Sequence, residues 1–204
     1  MPNLKDIKRR IGTVAKTQQI TSAMRMVAAA KLRRAEAAIK AARPYAERMR
    51  DTLGEVAAGG GDADHPLLQQ HESHETLELV VITSDRGLAA AFNSNAIKQG
   101  EAVIAERSGS VKNLVITAIG RKASEHFRKH YPKQVDQTYE IGAGWIEYSW
   151  AAEIAQRLAN RYEAGEVDEV VLVYNRFESV MTQAPVAAPL LPFAPPSAEA
   201  SEDG

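Results

Sequence analysis

The 204-residue chain contains no cysteine, which removes several kinds of chemistry at once. Disulfide frameworks, thiolate nucleophiles, cysteine-ligated zinc and iron–sulfur clusters all need that side chain. The sequence also has no apolar run near the roughly 18–20 residues that a membrane-spanning helix requires. Its first residues have no apolar stretch of the signal-peptide kind. Hydrophobic residues nevertheless make up 45% of the chain, enough for a packed core.

Charge is divided unevenly along the chain, although the net charge is only −1. Residues 1–50 carry 13 basic and three acidic side chains, a net charge of +10. The remaining residues carry 12 basic and 23 acidic side chains, a net charge of −11. Asymmetry of this kind is typical of a chain with an interaction arm.

Residues 4–58 have the periodicity of one long helix. Apolar residues recur at alternating spacings of three and four, which predicts a coiled-coil seam. A second stripe begins where the first becomes polar, so the seam is expected to shift sideways there. Pro44 is the interior residue expected to kink the helix. The seam residues are Leu4, Ile7, Ile11, Val14, Ile20 and Val27, with Met24 in the second stripe.

Strand-like and helix-like segments alternate after residue 76, which predicts an α/β sheet with helices on its faces. The second strand, 113–119, is nearly all apolar, as expected for a buried parallel strand. The predicted strands are 77–83, 113–119, 137–141, 169–174 and 180–191, and the predicted helices are 88–107, 121–131 and 146–164.

The loop Ser84, Asp85, Arg86, Gly87 lies between the first strand and the next helix, where phosphates often bind. One glycine gives too little backbone access to wrap a diphosphate, and a carboxylate repels an anion. We therefore expect a structural helix cap, with Ser84 or Asp85 accepting from the helix after the first strand. Arg86 is expected to pair with a carboxylate. A Rossmann-type enzyme using this loop stays open as an alternative.

Histidines give little support for a metal site. His71 and His74 have a spacing that suits a metal on a helix, but they fall in a polar linker and no further ligand is fixed. His126 and His130 share a helix face and are expected to be solvated. No catalytic constellation stands out, so we predict no catalytic residue, no metal and no cofactor.

The basic helix is the strongest functional feature. Its positive charge would attract acidic protein, nucleic acid or an anionic membrane. Tyr45 is the only aromatic residue among the first 50, so base stacking is not offered, and residues that insert into membranes are missing. We favour a protein partner that packs on the seam, and we keep open a basic coiled-coil adaptor that binds nucleic acid or ribosomes.

Several segments together resemble a known family. Leu4–Ile11 and Thr17–Arg34 resemble the N-terminal helix of the gamma subunit of F-type ATP synthases. Ser84–Leu88 is similar to that family's first strand-to-helix loop, and Gly120–Lys122 and Tyr174–Phe177 continue the match in the family's order.

The resemblance implies a non-catalytic central rotor that couples proton-driven rotation of the membrane c-ring to ATP synthesis, or the reverse, at catalytic sites of beta subunits. It implies regulation of ATPase activity and proton flow. It also implies alpha, beta and epsilon subunits and the c-ring as partners, without nucleic acid. A peripheral position on the cytoplasmic side of a bacterial cytoplasmic membrane follows from the same resemblance. The implied contacts with the alpha/beta ring are Met24, Arg25, Lys31, Arg33 and Arg34.

The sequence departs from the family pattern in two places. Ala89, Ala90 and Ala91 stand where the family usually shows Cys-Gly-Gly or similar, a change expected to be tolerated if the helix there is regular. The family's long C-terminal helix has no counterpart here, so we expect either a fragment or a second helix supplied from elsewhere.

The predicted fold class is α/β, with a long N-terminal coiled-coil helix and a Rossmann-like α/β domain. The predicted division is a helix over 1–58, a linker over 59–76, a Rossmann-like base domain over 77–192 and a disordered tail over 193–204.

Overall fold

A computed structural model describes residues 3–58, 65–142, 144 and 146–193. The described residues form two units, one containing the N-terminal helix up to Glu55 and the other beginning at Val56. In chain order the elements are α1 (Leu4–Ala58), a 3₁₀ turn (Pro66–Leu68), β1 (Thr76–Ile82), α2 (Phe92–Arg107), β2 (Asn113–Ile119), α3 (Arg121–His130), β3 (Val135–Tyr139), α4 (Tyr148–Glu163), β4 (Glu169–Phe177) and β5 (Gln183–Leu191).

Helix α1 confirms the predicted helix with the predicted bounds, 55 residues from Leu4 to Ala58. Helix assignment continues through Pro44, so this proline does not end the helix. The many alanines favour this conformation, because alanine has the highest helix propensity. At about 1.5 Å per residue, such a helix is about 80 Å long.

The second unit is built on a five-stranded sheet with the order β3-β2-β1-β4-β5. Strands β1, β2, β3 and β4 run parallel, and β5 pairs antiparallel with β4 at one edge. Pro185 and Pro189 both lie in β5, which suits an edge strand because proline cannot donate a ladder hydrogen bond. The predicted α/β fold class is thus confirmed.

Alternate residues of β1 face two separate cores. Leu77, Leu79 and Val81 are fully buried and pack with residues of α2 and α3. Val80 packs on the other face with Ile154, Leu158 and Tyr162 of α4. The sheet is therefore covered on both faces, which explains why β1 and β2 read as nearly continuous apolar runs.

Glu78 is the one charged residue within β1, and it is fully buried on the α4 face. Its Oε1 accepts hydrogen bonds from Thr117 Oγ1 at 2.7 Å and Arg157 Nη2 at 2.6 Å, and its Oε2 accepts from Arg161 Nη1 at 2.7 Å. Both arginines also approach Asp136 of β3. The network gives the buried carboxylate the paired and hydrogen-bonded partners that a buried charge requires. It also joins α4 to β1, β2 and β3.

Several predicted boundaries are wrong. The helix predicted from residue 88 begins at Phe92, because Leu88 and Ala90 both have positive φ, which a helix does not allow. The alanines at 89–91 therefore do not lie in a regular helix. Strand β3 lies two residues earlier than predicted, β4 extends three residues further, and α4 is shorter than predicted at both ends.

The described part of the predicted linker is packed against the sheet unit. Leu67 contacts the core beside α4, and its carbonyl oxygen accepts from Phe193 N at 2.8 Å. The rest of this prediction, residues 59–64, lies outside the described residues, as do residues 194–204 of the predicted tail.

Candidate functional site

The predicted contact residues of α1 are all exposed. Met24 is 57% exposed, and Arg25, Lys31, Arg33 and Arg34 fall in the same solvent-facing class. None of these four cations forms an ion pair with another residue in the part of the chain that the structure describes. Their charges remain available to a partner.

The predicted seam is exposed as well. Its side chains range from 43% exposed for Ile7 to 69% for Leu4. An exposed apolar stripe of this kind indicates a surface for another helix or protein, because apolar surface in contact with water is unfavourable. The other exposed seam residues are Ile11, Val14, Ile20 and Val27.

Three threonine hydroxyl groups in and beside the polar part of the seam are bonded within the helix. Thr13, Thr17 and Thr21 each donate a hydrogen bond to the carbonyl oxygen four residues earlier, at 2.8–3.0 Å. Such bonds keep these three hydroxyl donors paired when another surface covers them.

The loop after β1 is held by side chains at its two ends. Ser84 N donates to Asn93 Oδ1 at 2.9 Å, and Asn93 Nδ2 donates to the Arg86 carbonyl oxygen at 3.1 Å. Ser84 Oγ donates to the same Arg86 oxygen at 2.6 Å. Asn93 at the start of α2 thus fixes the turn that carries Arg86 and Gly87.

Asp85 caps a different helix from the one predicted. Its Oδ1 accepts from Arg121 N at 2.8 Å, at the start of α3, and its Oδ2 accepts from Gly142 N at 2.6 Å. Burial opposes ionisation, but backbone donors at Arg121, Gly142 and Ile141 outweigh it and lower the pKa of Asp85. The carboxylate thereby joins three loops at the carboxyl ends of the parallel strands.

This arrangement weakens the case for a nucleotide site. The N-terminus of α3 already holds an anion, the carboxylate of Asp85, where a phosphate would need the same amides. Gly120 precedes that helix at φ +90, and a Cβ there would lie 2.2 Å from the Thr83 carbonyl oxygen. Glycine at this position serves the close approach of two backbone segments rather than the approach of a ligand.

Two predictions for side chains were wrong. Arg86 forms no ion pair with any carboxylate among the described residues. His126 is half-buried rather than solvated, with Nε2 2.9 Å from Glu101 Oε1 and its ring stacked on that of His130.

Within the described ranges no group of three or more metal-ligating side chains is assembled, and the His71 ring lies against Asp168 instead.

The sequence reasoning missed three exposed apolar side chains at one end of the sheet. Leu88 is fully exposed, Met181 is 93% exposed and Tyr148 is 87% exposed. They follow β1, β4 and β3 respectively, so all three lie beyond the carboxyl ends of parallel strands. The positive φ of Leu88 is a signal that only the structure supplies.

Comparison with known proteins identifies the family. A sequence model described as ATP synthase matches residues 3–204. The chain is 42% identical to the ATP synthase gamma chain of Desulforamulus reducens over an alignment of 205 positions, which covers 98% of this chain and 68% of that protein. It is also 42% identical to the ATP synthase gamma chain of Pelotomaculum thermopropionicum, with the same coverage of both chains.

Solved structures agree on the fold. The rotor of the Euglena gracilis mitochondrial ATP synthase matches 91% of this chain and 62% of its own, with a TM-score of 0.57 and 19% identity. The central stalk and c-ring structure of the Tetrahymena thermophila mitochondrial ATP synthase matches 76% of this chain and 71% of its own, with a TM-score of 0.50 and 20% identity. The chain thus spans about two thirds of the relatives that it matches. With a sequence match over nearly its whole length, this chain belongs to the ATP synthase gamma chain family, whose members are non-catalytic central-stalk subunits.

Proposed function

We propose that this chain works as the rotating central stalk of an ATP synthase. It couples proton-driven rotation of a membrane c-ring to ATP synthesis, or the reverse, at catalytic sites that beta subunits carry. The observation that carries this proposal is α1, a 55-residue helix in a chain of this family, whose apolar seam is exposed together with the cations Arg25, Lys31, Arg33 and Arg34. In this role the chain supplies shape and charge and no catalytic residue.

The partners follow from the same reading. Alpha and beta subunits surround α1, with Met24, Arg25, Lys31, Arg33 and Arg34 as contacts, while the epsilon subunit and the c-ring engage the base domain. Exposed ion pairs contribute only about 0–1 kcal/mol each. Many weak charge contacts of that size suit a shaft that must bind its surroundings and still turn.

The position of the chain follows from the complex. The family places it as a peripheral part of a membrane-associated assembly. Over the described ranges no helix has the length and apolar character needed to cross a membrane. We propose the cytoplasmic side of a bacterial cytoplasmic membrane as its location, since the two gamma chains that are 42% identical to this chain come from bacteria. The domain division is proposed as a shaft helix over 1–58, a linker over 59–76, a base domain over 77–192 and a tail from 193.

Co-purification with tagged alpha and beta subunits tests the proposal. We expect the wild-type chain to be recovered with them. The double variant Arg33→Glu with Arg34→Glu should reduce recovery, because it reverses charge on the proposed contact face. The matched control is Lys129→Glu with Lys133→Glu, two exposed cations of the base domain, and it should not reduce recovery.

Two results would count against the rotor. Loss of recovery in the control but not in the α1 variant would contradict the proposed contact face. Tight binding of RNA at physiological salt, without recovery in the complex, would favour a nucleic-acid adaptor, a reading that the comparisons do not support.

A further inference from the structure

Residues 65–75, called the strap below, lie on the chain path between α1 and β1 and are fastened to the base domain at several points. Near its start, the Leu67 carbonyl oxygen accepts from Phe193 N at 2.8 Å. In its middle, the Gln69 carbonyl oxygen accepts from Tyr162 Oη at 2.6 Å. The strap is therefore bound to α4 and to the residues that follow β5.

Asp168 holds the end of the strap. Its Oδ2 accepts from Ser73 Oγ at 2.9 Å, Glu75 N at 2.9 Å and Thr76 N at 2.8 Å. Its Oδ1 lies 3.3 Å from His71 Nδ1. One carboxylate thus gathers donors from four residues of a six-residue stretch.

The surroundings make this contact hard to replace with water. The Asp168 side chain is only 7% exposed. The His71 ring stacks on the ring of Tyr162 with centroids 4.2 Å apart, so one face of the His71 ring is covered. Desolvation raises the pKa of Asp168, but the donors at Thr76, Ser73, Glu75 and His71 outweigh it and lower the pKa, so the group is ionised at neutral pH.

Asp168 and its four donors, together called the clamp, lie where they can transmit a mechanical load. Asp168 immediately precedes β4, which pairs with β1 in the middle of the sheet. The bond between Leu67 and Phe193 also ties the chain entering β1 to the chain leaving β5. Load that passes along the main chain between α1 and the sheet must run through the strap. Without the clamp, the strap keeps its bonds at Leu67 and Gln69 and those from Lys112 N and Asn113 N to the Glu75 carbonyl oxygen, so the load would stretch the residues between these points.

We propose that Asp168 is a positioning residue that anchors the strap so that torque passes between the base domain and α1. The inference rests on the proposed rotor function for its consequence, but the clamp itself is a local property of the base domain. A purely structural role would lower stability without changing the ratio of transport to hydrolysis. A mechanical role changes that ratio.

The first measurement is hydrogen exchange on the isolated chain. Asp168→Ala should accelerate exchange at residues 69–76 by about tenfold or more, because the lost bonds to a charged acceptor lower the local opening free energy. Exchange at the buried residues Ile116–Ile119 of β2 should stay unchanged. Asp168→Asn keeps one acceptor oxygen and should show a smaller effect. The control Glu163→Gln removes an exposed carboxylate of α4 and should change neither region. Unchanged strap exchange in Asp168→Ala would overturn the clamp whatever the function of the chain.

The second measurement uses the assembled enzyme in sealed vesicles. In Asp168→Ala, ATP hydrolysis should persist while proton pumping per ATP falls several-fold, and a cross-link between Ser73→Cys and Asp168→Cys, which fastens the strap at the same place, should restore the ratio. The native chain has no cysteine, so these would be its only thiols. Accelerated strap exchange with an unchanged pumping ratio would overturn the mechanical role. If Asp168→Ala fails to assemble, Asp168→Asn decides the question by the same two readouts. Failure of the wild-type chain to assemble would instead contradict the proposed function.

Discussion

Helix α1 and the base domain use their apolar residues in opposite ways. Leu4, Ile11 and Val14 of α1 are each more than 60% exposed, whereas Leu77 and Leu79 of β1 are fully buried. Burial of an apolar side chain contributes about 1.5–3 kcal/mol, so the base domain contains its own source of stability. Helix α1 lacks that source and depends on a surface supplied by other polypeptide. The comparison predicts a self-sufficient base and a shaft completed by its partners.

The largest expected effect comes from emptying the base-domain core. Phe127 is fully buried between α3 and the sheet. Phe127→Ala should lower the free energy of unfolding by about 4 kcal/mol, through lost transfer energy and the cavity left behind. Urea unfolding followed by tryptophan fluorescence, to which Trp150 of α4 contributes from its contact with the core, measures the change. A loss below about 1 kcal/mol would show that the base domain is not the stable unit described here.

Removing the buried carboxylate of Glu78 should have the next largest effect. Glu78→Ala leaves Arg157 and Arg161 without their main acceptor, and these arginines are only about a fifth exposed. We expect the free energy of unfolding to fall by about 3 kcal/mol. This value is at the lower end for a broken buried pair, because water and Asp136 remain as partners of the two arginines. Glu125→Gln, a half-exposed carboxylate paired with Lys122, is the control and should lower the free energy of unfolding far less. Equal losses in the two variants would contradict a special role for burial.

Acid should weaken the base domain through Asp168. The pKa of this group is lowered in the folded chain, so its contribution is present above the unfolded pKa of about 4 and is lost as pH falls through the folded pKa. We expect Asp168→Asn to lose about 2 kcal/mol relative to wild type at pH 7, and the difference to shrink at acid pH. Urea unfolding of both proteins from pH 7 to pH 3 measures it. A difference that grows as pH falls would have the wrong sign.

The smallest expected effect on stability is in α1. Ile11→Ala removes an apolar side chain, as Phe127→Ala does, but the side chain is already 64% exposed. The free energy of unfolding of the base domain, measured in the isolated chain that includes α1, should therefore change by less than about 0.5 kcal/mol. Recovery of the variant with alpha and beta subunits should nevertheless fall. A large loss of base-domain stability with normal recovery would reverse the comparison.

Elements that depend on local pattern could be predicted from the sequence. The bounds of α1 follow from its periodicity, and those of β2 from an apolar run between turn residues. The start of α2 could not, because the positive φ at Leu88 and Ala90 is imposed by the tertiary setting of the loop. The sequence contained one overlooked signal, an acidic residue at Glu78 inside an otherwise apolar strand, with Arg157 and Arg161 four residues apart on a later helix.

The roles of the aspartates show why site prediction failed further. Asp85 was expected to cap the helix that follows it, whereas it accepts from the start of α3 and from Gly142. The role of Asp168 could not be predicted, because its donors lie more than 90 residues earlier in the chain. Contacts at such separation depend on how the strands are ordered in the sheet. The predicted contact residues of α1 remain a proposal, since they concern partners outside this chain.

Hydrogen exchange along α1, compared between the isolated chain and the complex with alpha and beta subunits, tests the central claim most directly. The account predicts rapid exchange over residues 4–34 in the isolated chain and strong protection in the complex, with exchange of β1 slow in both. Equal exchange of α1 in the two states would contradict the claim that partners complete this helix.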